Sequence, residues 1–83
     1  MIVDKNNNEV KIGSYVKVLF IDPGFISTFS DNEARIMMSM INKTFEVTEF
    51  AHGKAMVHQS IDARNSFGLV LDSSDMELVI DNI

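Results

Sequence analysis

The stretch that decides the fold is "EVKIGSYVKVLFIDPG", Glu9 to Gly24. Val16, Val18 and Phe20 alternate with Tyr15, Lys17 and Leu19, the period of two that sends successive side chains to opposite faces of a strand. Gly13 ahead of it predicts a bulge, bend or tight turn. Asp22-Pro23-Gly24 stops the strand, because proline has no N–H for a ladder and Pro-Gly favours a type II turn. Upstream, "DKNNNE", Asp4 to Glu9, reads as a solvated turn, since asparagine tolerates left-handed backbone and bonds its own main chain. It is not a calcium loop: Glu9 stands where such a loop has glycine, and Tyr15 where it has the bidentate glutamate.

Downstream, "GFISTF" (Gly24 to Phe29) is a short extended or single-turn segment leading into a helix. Ser30 lies three residues before Glu33, a capping box, and Asp31 adds negative charge to the first turn. The helix is expected over about 31–42, with Asn42 as a left-handed residue after its end and Lys43 favouring the negative end of the dipole. Within it, "ARIMMSMINK" (Ala34 to Lys43) places three methionines close together. At 100° per residue Ala34, Met37, Met40 and Ile41 form one stripe, with Ile36 and Met38 on its flanks. The apolar arc is roughly 200° wide, where an ordinary surface helix needs about 100°. Met37 and Met40 are expected in the core; Ile36 and Met38 are candidates for contact with a second chain. Without a histidine beside them, the thioethers do not form a copper site.

"TFEVTEFAHGKAMVHQS", Thr44 to Ser60, alternates on both sides of His52-Gly53 and predicts a β-hairpin. A polar loop, Gln59 to Ser66, a strand "FGLVLD", a 3₁₀-like turn at Ser73 to Met76 and a last strand at Glu77 to Ile80 complete the chain. The expected fold is mainly β: a small five-stranded, strongly bent barrel in one domain, 1–83, with one inserted α-helix between the first and second long strands.

Composition bounds the function. The chain is 46% hydrophobic and 23% charged, which fits a folded domain and not a disordered tail. It has no cysteine, so disulfides and thiolate zinc sites are excluded. Its longest uninterrupted apolar run, Val18 to Ile21, falls far short of the ~20 residues of a membrane span. The opening "MIVDKNNNEV" lacks the basic and apolar regions of a signal peptide, so a cytoplasmic protein is expected. Net charge is −5 and no two basic residues are adjacent, which disfavours nucleic acid as a partner.

"DKNNNEVKIGSYVKVL" is similar to the opening of SH3-like and KOW-type barrels, and "SSDMELV" looks like their closing turn and strand. More specifically, "VKVLFIDPGF", the methionine-containing helix, "FEVTEF" and "MELV" resemble a family of small bacterial proteins of unknown function, of the kind carried on chromosomes and in mobile gene cassettes. The resemblance implies an SH3-like barrel and carries no catalytic residues. Asn42 departs from the pattern, which has glycine there.

No catalytic constellation, metal set or cofactor motif is present. His52 and His58 lie about 20 Å apart along an extended strand, too far to share a metal. No serine sits in a nucleophile elbow, and Gly13, Gly24, Gly53 and Gly68 are isolated, so there is no phosphate loop. The function expected is a non-enzymatic interaction module that contacts a protein partner or a second copy as a homodimer. Ile36 and Met38 on the helix flank, with Phe25 and Phe29 from "PGFISTF", are the candidate contact residues. The alternative is a nucleic-acid accessory module using the outer face of the first strand, Lys11, Tyr15 and Lys17, where a tyrosine between lysines can stack and pair with a ligand.

Overall fold

The computed structural model describes residues 1–60 and 62–80. Among the described residues the chain is mainly β, with six short strands in two three-stranded antiparallel sheets. The first sheet has the order β2-β1-β6, from Thr44–Glu46, Tyr15–Val18 and Met76–Leu78. The second has the order β3-β4-β5, from Glu49–Ala51, Lys54–Ser60 and Ser66–Leu71. Two helices, not one, connect β1 to β2: α1 (Pro23–Ile26) and α2 (Asp31–Met38).

Six strands replace the expected five because the chain changes sheets between β2 and β3. Val47 donates to the Ser14 carbonyl and accepts from the Gly13 N–H, both at 2.8 Å, on the first sheet's side. The next residue, Thr48, donates to the Met56 carbonyl of the second sheet at 3.1 Å. Gly13 takes φ +93° here, a conformation open to glycine and strained for other residues. The hairpin after it follows the sequence: Ala51 faces Lys54 in register, and His52 and Gly53 both have positive φ, the mark of a type I′ turn.

Strand β1 ends earlier than its alternation suggests. Asn42 N–H donates to the Val18 carbonyl at 2.6 Å, and Val18 N–H donates to the Lys43 carbonyl at 2.9 Å. Leu19 N–H then turns to Asp75, and the chain leaves the sheet. Ile21 takes the next core position, and Phe20, expected to point inward, is 51% exposed. Asp22 caps α1 by accepting from Gly24 N–H at 2.9 Å, with Pro23 at the first helical position. This helical turn stands where a type II turn was expected. Proline's fixed φ and missing N–H suit a helix start equally well.

The capping box opens α2 as the sequence predicts: Ser30 Oγ accepts from Glu33 N–H, and the Glu33 carboxylate accepts from Ser30 N–H. The regular helix stops at Met38, four residues short of the expected end. The chain continues to Asn42 through tighter three-residue bonds, Met40 to Met37 and Ile41 to Met38. Asn42 takes φ +70°, the left-handed role assigned to it. Met37 and Met40 are buried among Val16, Val18, Val57 and Leu71 in one core cluster drawn from both sheets and α2.

The N-terminal turn departs furthest from expectation. Asn7 is left-handed, as a turn residue should be, but Asp4 is 2% exposed. Its Oδ1 accepts from the N–H groups of Asn6 and Asn8, and its Oδ2 accepts from Leu78 N–H at 2.7 Å. Lys5 N–H reaches the Met76 carbonyl beside it. The turn therefore closes over the outer edge of β6, and a carboxylate serves as the missing backbone acceptor there. Burial by itself would raise the Asp4 pKa. Hydrogen bonds from Leu78, Asn8 and Asn6 outweigh burial and hold it below the ordinary value of 3.8.

Candidate functional site

Because the chain leaves the sheet at Leu19 and folds two helices before returning, an apolar groove opens between α1 and α2. Its volume is about 540 Å³, and its lining includes Phe20, Pro23, Ile26, Phe29, Met38 and Ile41. Met38 is 59% exposed on the groove's rim. Phe20 also borders a second groove of about 270 Å³ on its other side, along β5 and the 3₁₀ turn Ser73–Asp75. Phe25, Gly68 to Leu71 and the carboxylates Asp22, Asp72 and Asp75 line that one. Lys54 is the one cation in its lining and lies 3.0 Å from Asp72.

The four candidate contact residues are only partly brought together. Met38 and Phe29 line the larger groove, and Phe25 lines the smaller one. Phe25 and Phe29 meet edge to face at 5.2 Å, and Phe29 lies 6.2 Å from Phe67 of β5. That contact seats the α1–α2 connection on the second sheet. Ile36 lies in neither lining and is half-buried. Phe20 is the residue that sequence reasoning missed. Its alternation with Val16 and Val18 continues unbroken in the sequence, and the strand ends before it because Leu19 N–H bonds the distant Asp75 carbonyl.

On the outer face of β1, Tyr15 is 54% exposed, but Lys11 does not join it. Lys11 precedes the turn at Gly13, accepts from Ser14 N–H through its carbonyl, and lies outside the strand. The face is also not basic. Tyr15 stands opposite Glu46 in register, and Lys17 stands opposite Glu77. Glu77 in turn holds Lys5 at 3.4 Å.

Neither groove has a histidine in its lining, and Ser27 Oγ donates to the Gly24 carbonyl of its own turn. His58 pairs with Thr48 at 2.8 Å and lies 3.8 Å from Glu49; it stands opposite Gly68 in register, beside the smaller groove but outside its lining. Among the described residues no group of three metal-ligating side chains converges, and no helix is long and apolar enough to cross a membrane. No family model matches the chain, and neither a curated protein nor a solved structure matches it significantly.

Proposed function

We propose that this chain is a non-enzymatic binding module with an SH3-like barrel, and that it contacts another polypeptide chain through the groove between α1 and α2. The crossing at Val47–Thr48, which lets one continuous segment serve both sheets, and the 3₁₀ turn before β6 support the barrel reading. The observation that carries the function is the groove itself. Phe20 and Met38 stay 51% and 59% exposed in its lining, and Phe25, 41% exposed, borders the adjoining groove across Phe20. A contiguous exposed apolar surface of this kind is where a protein partner gains the most by covering it.

The test is molar mass by light scattering, together with amide chemical shifts, for the wild type and Met38→Asp. Met38 is 59% exposed, so the substitution preserves the fold while placing a charge on the groove's rim. Two results support the reading: a wild-type dimer that Met38→Asp splits, or a wild-type monomer whose groove amides shift with a polypeptide ligand that Met38→Asp no longer binds. A monomer in both forms, with no polypeptide perturbing Phe20, Phe29 or Ile41, removes it. The outer face of β1 has no comparable support as a nucleic-acid surface, since Glu46 and Glu77 flank Tyr15 and Lys17.

A further inference from the structure

Four successive residues of β5, Gly68 to Leu71, line the smaller groove. Successive side chains in a strand point to opposite faces, so four in a row border a groove only when the strand presents its edge. β5 is an edge strand, paired with β4 alone among the named strands. Its outward backbone groups therefore face the groove, and none of them appears in a backbone bond outside the sheet among the described residues. Such an edge is a template for an added strand.

The charge around the edge is one-sided. Asp22, Asp72 and Asp75 line this groove, and Asp31 lines the apolar groove across Phe20. Lys54 is the one cation in either lining and is engaged by Asp72. A second copy of the chain, itself carrying −5, would bring the same acidic rim to this one.

We propose that the occupant is an extended segment of a different protein that pairs a cationic residue with an aromatic or aliphatic anchor. The segment adds a strand to the edge of β5. Its cation meets Asp72 and Asp75, and its anchor passes Phe20 into the α1/α2 groove. This rests on the protein-contact reading above and adds the partner's chemistry to it.

The experiment is selection of a random peptide library on the immobilised protein, followed by binding and amide-exchange measurements with one enriched peptide. Enriched sequences carry Arg or Lys at a fixed offset from an aromatic or aliphatic residue. The peptide slows amide exchange in β5, and added salt weakens it. Asp72→Asn combined with Asp75→Asn weakens it about tenfold or more. Asp72 makes no side-chain bond to the 3₁₀ turn it precedes, its pair with Lys54 is exposed, and the Asp75 carboxylate accepts only a long bond of 3.4 Å from Ser74, so this variant keeps the fold, checked by circular dichroism. If the enriched peptides lack cations, or the double variant binds them unchanged, the partner chemistry is overturned, while their loss with Met38→Asp leaves the contact reading standing. If nothing is enriched and the wild type is a dimer split by Met38→Asp, the occupant is a second copy and the inference fails alone. If nothing is enriched and the protein is a monomer indifferent to Met38→Asp, both fail.

Discussion

Replacing Asp4 by asparagine isolates the role of one buried carboxylate. In the native protein Oδ1 accepts from two turn N–H groups at 2.8 and 2.9 Å, and Oδ2 accepts from Leu78 N–H at 2.7 Å. An asparagine has one acceptor oxygen. If that oxygen keeps the turn, the amide NH₂ faces Leu78 N–H, donor against donor. The variant loses one charge-assisted bond and strands one backbone donor, together about 2–3 kcal/mol. A domain of 83 residues has roughly 4–12 kcal/mol in all, so this is a large fraction. With no tryptophan and one tyrosine, unfolding is best followed by far-ultraviolet circular dichroism in urea. At about 1 kcal/mol per molar urea for a small domain, the midpoint falls by roughly 2–3 M. The pH dependence adds a second signature. The folded pKa of Asp4 lies below the unfolded value near 3.8, so its stabilisation is complete above that value and is lost as the pH falls through the folded one. The gap between wild type and variant therefore narrows below pH 3.8. A variant within about 0.5 kcal/mol of wild type at neutral pH, or a gap constant into acid, refutes the clamp.

Two other outcomes follow from burial and backbone geometry. Met37→Ala, at a fully buried site, lowers stability by about 2–5 kcal/mol, whereas Met38→Ala, one residue on and 59% exposed, stays within about 0.5 kcal/mol in the same urea titration. Gly53→Ala meets no atom within 4 Å, so its effect reports backbone strain alone; at φ +74° we expect about 1–2 kcal/mol of destabilisation, read from the thermal midpoint.

Local signals carried much of this fold in the sequence. The capping box at Ser30 and Glu33, the left-handed Asn42 and the two-residue turn at His52-Gly53 each depend on residues within four positions of one another, and each is where the sequence places it. The unusual width of the helix's apolar arc also had a physical consequence: Met37 and Met40 are buried and Met38 is left exposed. The features that escaped depend on distant partners. Asp4 is buried because it bonds Leu78, 74 positions away. The sheet change at Val47–Thr48 leaves the alternation of Phe45 and Val47 undisturbed, so no pattern marks it. The acidic rim draws Asp22, Asp72 and Asp75 from both ends of the chain, and no spacing in the sequence brings them together.

The placement of the cations argues for a polypeptide partner over a polyphosphate one across the whole surface. Lys5 lies by Glu77, Lys11 by Glu9 and Lys54 by Asp72. Lys17 stands opposite Glu77 in register. That leaves Arg35, Lys43 and Arg64, one on α2, one beside β2 and one in the turn between β4 and β5. A ligand that gains affinity by releasing counterions needs several cations on one track. Here four of the seven already face a carboxylate. An apolar anchor needs no such track. It gains from covering Phe20, Phe25 and Met38, and a cation beside it gains from the carboxylates on the same rim. On the proposed reading, the surface that disfavours a phosphate backbone is thus the one that would take a basic, apolar segment of another protein.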